Sequence, residues 1–229
     1  MRRIISTFLS ALLFIFAVKA NVSDNIMLDS DSEVIASATL SSFIDNARSG
    51  NTEAQRLAGL CYLYGNGVDS NRSEAWKWIA KSASSGDHVS QYYLGVFYMS
   101  GWGVKPDSRE AAYWFRKAGS NGQSDAQSRL GDMFLQGDGV LQDSRIAAEW
   151  YWRSAAQGNA AAQYKLAEMY RDGIGVDRSA SQARGWFEKA AESNYRDAAM
   201  QAERLPKQAS IAKKHKGRKS QSKSRRSRR

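Results

Sequence analysis

The sequence has one cysteine, two prolines and two histidines in 229 residues. A lone Cys61 cannot form a disulfide within the chain, so packing has to hold the fold. With His88 and His215 as the only histidines, no His-Glu-x-x-His, Cys-x-x-Cys or nucleophile elbow can be assembled. A Ser-x-x-Lys spacing occurs at 220–223, but it lies in a segment too poor in apolar residues to preorganise a nucleophile. These absences point to a protein without catalytic residues, bound metal or cofactor. Beyond the first twenty residues no run is long and apolar enough to cross a bilayer.

The start and the end of the chain differ from the rest. Residues 1–20, MRRIISTFLSALLFIFAVKA, pair a basic start at Arg2 and Arg3 with a short apolar run from Phe8 to Val18. That pattern reads as a secretory signal peptide cleaved after Ala20, with Asn21 rather than a lipidated cysteine next. The expected location is a bacterial periplasm or beyond. Net charge is +10, yet residues 207–229 hold 11 of the 33 Lys and Arg and no acid. Between 21 and 206 there are 19 basic residues against 23 acidic ones. The protein is therefore a mildly acidic body with a basic, disordered tail.

What the sequence has in abundance is repetition. GNGV at 65–68 returns as GWGV at 101–104, GDGV at 137–140 and GIGV at 173–176, each step being 36 residues. Trp78, Trp114, Trp150 and Trp186 keep the same period, as do Ala75, Ala111, Ala147 and Ala183. A basic residue follows each tryptophan by three: Lys81, Lys117, Arg153 and Lys189. Four units result, at 51–86, 87–122, 123–158 and 159–194.

Each unit reads as two helices. In the second, Leu94, Phe97 and Tyr98 share one face before Gly101 and Gly103 break the run. Asn71, Asp107, Asp143 and Ser179 stand where a second helix needs an N-cap. Ala111, Trp114, Phe115 and Ala118 form its buried stripe, so the periodic tryptophans are expected in the core. The glycines are read as helix punctuation: no Lys-Ser/Thr follows and no strand precedes, as a phosphate loop would require. The N-terminal segment 21–50 supplies a capping helix over 33–49, and residues 195–206 supply another that Pro206 stops. Ten helices are expected, stacked into a solenoid because no single pair can bury its own apolar face.

These residues resemble the Sel-one-like repeat family, relatives of the tetratricopeptide repeats. The matching elements are a small-Gln pair early in the first helix, Leu-Gly-x-x-Tyr in LGVFY, G-x-G-V in the turn, and A-x-x-W-F/Y-x-K-A in the second helix. The resemblance covers 51–205. It implies an all-α, right-handed α/α superhelical solenoid whose concave face binds a protein or peptide. Exported members of the family imply an adaptor or scaffold in the bacterial envelope. A cysteine-rich branch linked to β-lactam binding suggests the alternative of a cell-wall or β-lactam-binding protein with weak hydrolase activity. With one cysteine, this chain departs from that branch.

Cys61 stands where Phe97, Met133 and Met169 stand and is read as a small buried hydrophobe. Gln55, Gln91, Gln127 and Gln163 recur and are read as amides bonding backbone in the neighbouring turn, with a row of ligand-binding amides as the alternative. Aromatics that break the repeat are the candidate partner-binding residues. Trp102 replaces Asn, Asp or Ile in a turn; Trp152 takes the position of Ala80, Arg116 and Glu188; Tyr92 and Tyr164 take that of Arg56 and Ser128. In the tail, Lys213, Lys214, Arg218, Lys219, Arg225, Arg226, Arg228 and Arg229 offer electrostatic attachment to an anionic envelope surface. Export makes nucleic acid a poor match for the same tail.

Overall fold

A computed structural model describes residues 40–206. The signal-like segment, residues 21–39 with the start of the N-terminal helix, and the basic tail lie outside the described residues. Ten helices and no strand occur among the described residues. They are α1 (40–48), α2 (Thr52–Tyr64), α3 (Arg72–Ser84), α4 (His88–Ser100), α5 (Ser108–Ser120), α6 (Ser124–Gln136), α7 (Ser144–Ala156), α8 (Ala160–Asp172), α9 (Ala180–Glu192) and α10 (Ala198–Arg204). From α2 onward the extensive contacts join only helices adjacent in sequence. The fold is an all-α solenoid.

Local chemistry sets these boundaries. Each second helix is capped by the residue expected: Asp107 accepts from Arg109 N at 2.9 Å and Glu110 N at 3.1 Å, with Asn71, Asp143 and Ser179 capping likewise. The first helices have caps too, from Asn51, Asp87, Gln123 and Asn159. Gly65, Gly101, Gly137 and Gly173 end the first helices in left-handed conformation, each N–H bonding the carbonyl four residues back.

The core corrects one expectation. The periodic tryptophans are half-buried, and the residue after each is fully buried: Ile79, Phe115, Tyr151 and Phe187. These side chains point at the paired first helix, where Gly59, Gly95 and Gly131 make room in the first three units and Ala167 stands in the fourth. A Cβ on Gly95 would sit 2.6 Å from Phe115 Cδ1, and one on Gly131 2.6 Å from Tyr151 Cε1. The tryptophans stay at the edge because the basic residue three positions on covers each ring, from 5.7 Å for Lys81 over Trp78 to 4.1 Å for Lys189 over Trp186. Cys61 is buried, and that burial pushes its thiol up to about 12.

The joints between units extend the reading of the glycines. The first glycine of each pair caps a helix; the second lets one unit dock on the one before. A Cβ on Gly103, Gly139 or Gly175 would collide with the carbonyl of Arg72, Ser108 or Ser144, which opens the second helix of the preceding unit. The glutamines complete the joint. Gln55, Gln91, Gln127 and Gln163 donate to carbonyls eight residues earlier, at the end of the preceding helix: Ala47, Ala83, Gly119 and Ala155, at 2.8–3.3 Å. They are structural amides. Thirty residues on, Asn121 and Gln157 donate to the carbonyl oxygens of Gln91 and Gln127 at 3.5 and 2.7 Å. The corresponding positions after Gln55 and Gln163 hold Ser85 and Ser193, whose shorter side chains leave both buried oxygens without a partner.

The C-terminal cap is shorter than the expected 195–206. Asn194 and Arg196 take left-handed conformations, with φ of 51° and 50°, so the chain turns before α10 starts at Ala198. Tyr164 is buried at 6 % exposure beneath this turn, which corrects the expectation of a surface anchor. Its ring packs on Phe187 and Tyr195, and its hydroxyl donates to Asp197 at 2.7 Å. Arg184 then donates to the carbonyls of Ala202 and Leu205, each at 2.8 Å, closing the end of α10.

Three outcomes follow from these contacts. Gly139→Ala should lose about 2–4 kcal/mol, combining left-handed strain with backbone overlap, whereas Gly137→Ala should lose about 1–2 kcal/mol, since besides the strain its Cβ presses only on the Gln142 side chain at 3.2 Å; urea unfolding of the pair checks the difference. Ser85→Gln should gain about 1 kcal/mol over Ser85→Ala by satisfying Gln55 Oε1, read as a higher unfolding midpoint. The Tyr164–Asp197 contact should fail at both extremes of pH. Burial, then Asp197, raise Tyr164 to about 12, so its contribution is present below the phenol's ordinary range and lost as pH rises through about 12. The Tyr164 and Gln201 hydrogen bonds lower Asp197, so its contribution is present above the ordinary carboxylate range and lost as pH falls through the depressed value. The stability gap between the native chain and Tyr164→Phe, followed across pH, should be widest between those limits.

Candidate functional site

Two grooves cross unit boundaries and meet different sides of α8. The first has a volume of about 300 Å³ and is lined by first helices and the C-terminal turn: Tyr92 from α4, Asp125, Ser128, Arg129 and Asp132 from α6, Asn159, Ala161 and Lys165 with α8, then Tyr195 and Arg196. The second, of about 520 Å³, lies between α7 and α8 and the turn after α8. Trp152 and Tyr170 line it with Leu166, Ala148, Gly175 and Val176, and Arg145, Glu149 and Arg153 complete it.

In the first groove the acids are engaged internally. Asp132 accepts from the Tyr151 hydroxyl at 2.6 Å, and Asp125 accepts from Asn159 at 2.9 Å. Burial and then Asp132 drive the Tyr151 phenol far upward, so it stays protonated and remains a donor. Lys165 pairs with Glu168 at 3.2 Å. Arg129 and Arg196 have no ion pair among the described residues, and Arg196 lies over the rings of Tyr164 at 5.5 Å and Tyr195 at 5.3 Å. Tyr92 is half-buried against Phe115, its hydroxyl raised by burial and by Asp125 and lowered in part by Arg129. The groove thus offers two unpaired guanidinium groups, a lysine and two tyrosines along three consecutive first helices and the cap. That arrangement can hold an extended chain bearing carboxylates.

The four aromatic candidates do not form one site. Tyr92 lines the first groove and Trp152, at 53 % exposure, the second. Trp102 is half-buried, edge-on to Phe97 at 6.1 Å and beneath the Arg72 guanidinium at 5.2 Å, so it joins two units. Tyr164 belongs to the cap. The eight basic tail residues named above lie outside the described residues. Arg129 and Lys165 were not singled out from sequence. They occupy the position of Leu57 and Tyr93, so comparing charge as well as aromatic character across the units would have found them. Among the described residues no group of His, Cys, Asp and Glu could hold a metal ion, and no helix is long and apolar enough to cross a membrane.

Comparison with known proteins agrees with this geometry. No curated protein matches the chain. A protective antigen present in uropathogenic Escherichia coli strains, displaying an SLR fold, is 35% identical with a TM-score of 0.71 over 73% of this chain and 36% of that one. This chain therefore spans about a third of that antigen's length. A Sel1 repeat protein from Oxalobacter formigenes is 29% identical with a TM-score of 0.67, over 71% of this chain and 65% of that one. The immunity protein PA5088 from Pseudomonas aeruginosa, 20% identical with a TM-score of 0.51 over 83% and 67% of the two chains, shares the fold alone. The Sel1 repeat matches at residues 52–87, 88–123, 124–159 and 160–195, in the 36-residue period of the glycine pairs. Repeats of this kind usually mediate protein–protein interaction, and with four of them in one unbroken stack the chain belongs to the Sel1 repeat family.

Proposed function

We propose that the protein is an exported, non-enzymatic adaptor of the bacterial envelope that holds an acidic segment of a protein partner in the first-helix groove. The observation that carries this reading is the placement of Arg129 and Arg196, neither in an ion pair among the described residues, along one groove with Lys165, where Asp125 and Asp132 already accept from Asn159 and Tyr151 and Lys165 pairs with Glu168 outside the groove lining. Solenoids present extended surfaces of this kind because each unit adds one helix to a continuous face. Tyr92 and Tyr195 supply apolar area beside the cations. Export is supported by the basic-then-apolar start of the sequence. The similarity to a protective antigen fits an export route, since such a protein has to be met by antibodies. The basic tail adds attraction to anionic lipid or polymer, about 1 kcal/mol per residue near a charged membrane.

Cell fractionation and intact mass would test export: the mature protein should begin at Asn21 and sit in the periplasmic or secreted fraction. Cross-linked envelope capture would test the adaptor role with the native chain, a chain ended at Pro206, and Arg129→Glu with Lys165→Glu. The same partner should come down with the first two baits and fall at least tenfold with the third. Equal capture by all three baits would refute the groove, and a full-length product in the cytosol would refute export.

A further inference from the structure

One junction of the solenoid has an empty place that another junction fills. Between the second and third units, the Arg116 guanidinium lies over the Phe134 ring at 5.9 Å. Trp152 and Tyr170 occupy those two positions one unit later. There the arginine is missing, Trp152 stands half exposed, and no cation lies over the Tyr170 ring among the described residues. The result is the 520 Å³ cleft, with Leu166 and Val176 among its apolar lining residues.

We propose that this cleft receives a cationic side chain from the chain's own basic segment, residues 207–229. Its chemistry suits a cation, because two aromatic rings line the space where the earlier junction has a guanidinium over one. The arginines of the cleft do not oppose this. Arg145 and Arg153 match Arg109 and Lys117 of the earlier junction, where Arg116 still seats itself. Arg153 is also committed to the Trp150 ring at 4.7 Å. What differs is Glu149, which replaces Tyr113 and makes no ion pair among the described residues. The cleft therefore has an indole in place of the guanidinium and a carboxylate in place of a phenol, with no cation seated between them and the Tyr170 ring among the described residues.

The position of the chain's exit selects the tail as the occupant. Pro206 follows α10, which Arg184 holds to α9; α9 packs on α8, and α8 carries Tyr170. Helices pack about 8–10 Å apart, so the exit lies roughly 20 Å from the cleft. Twenty-three residues span up to about 75 Å extended and about 27 Å as a flexible coil, so the reach suffices. A single cation on an aromatic wall binds weakly from solution. Eleven cations on a short tether share a millimolar-range effective concentration and any one of them can take the seat, which raises occupancy far above that of a free cation in dilute solution. An anionic surface that captured the tail would compete with this seat. The inference depends on neither export nor the first-helix groove.

The test is the indole N–H signal of Trp152 in nitrogen-15 NMR, assigned with Trp152→Phe. Residues 40–206 contain every contact described above, so a chain ended at Pro206 keeps the whole packed solenoid. The mature chain and this shortened chain should differ at Trp152, and a synthetic 207–229 peptide added to the shortened chain should restore the shift saturably. Glu149→Gln should weaken the peptide at least threefold. Trp152→Arg should stay folded, because Arg116 shows that arginine fits there, and should cut peptide affinity more than tenfold. An identical Trp152 signal in both chains overturns the proposal. If the peptide nevertheless enters the cleft in that case, the occupant is a partner's basic segment and the proposal as stated fails. Peptide binding that leaves Trp152 unmoved, or survives Trp152→Arg, overturns it as well.

Discussion

The structure depends on a contact that only glycine allows. At Gly103, Gly139 and Gly175 the second glycine of the turn lies so close to the carbonyl that opens the preceding unit's second helix that a Cβ there would overlap it. That contact fixes how closely successive units approach. At this spacing a glutamine amide reaches the carbonyl eight residues back, and Arg116 of one unit reaches over the Phe134 ring of the next. In a solenoid the stability is a sum of unit and junction terms, so a joint repeated along the chain sets the behaviour of the whole stack.

Within each unit, apolar and polar tasks fall to neighbouring residues. Phe115, Tyr151 and Phe187 are fully buried and fill the pair, while the tryptophan just before each lies at the edge under a cation. A ring in that place covers apolar surface without removing the ammonium or guanidinium group from water. The same division governs the cap. Tyr164 buries its ring against Phe187 and keeps its hydroxyl on Asp197, and Arg184 supplies donors to the Ala202 and Leu205 carbonyls at the end of α10.

Much of this was legible in the sequence because a repeat carries its own controls. The period, the helix pairs, the second-helix caps at Asn71, Asp107, Asp143 and Ser179 and the role of the glutamines could all be read from residues that agree across units. Depth of burial could not. Trp114 and Phe115 lie 100° apart on one helix, and pattern alone does not decide which faces the partner helix and which meets its rim. The second glycine's role was hidden for a related reason: its contact is with a residue about thirty positions away, and a turn signal reports only local geometry. Tyr164 was misread because its neighbours come from the cap, where the repeat ends and comparison with sibling units no longer applies.

Agreement between units therefore reports the scaffold, and disagreement has to be sorted by whether a local contact explains it. Trp102 departs from its siblings and is explained by Phe97 and Arg72; Tyr164 departs and is explained by the cap. Arg129 and Lys165 replace the apolar Leu57 and Tyr93, yet neither is needed to close a joint between units. Trp152 and Glu149 leave open a place that Arg116 closes one unit earlier. Each unit touches only its neighbours, so such departures cost the rest of the stack little. Surface chemistry can then differ from unit to unit on a scaffold that stays the same, and these unexplained departures are where the binding chemistry of this chain should be sought.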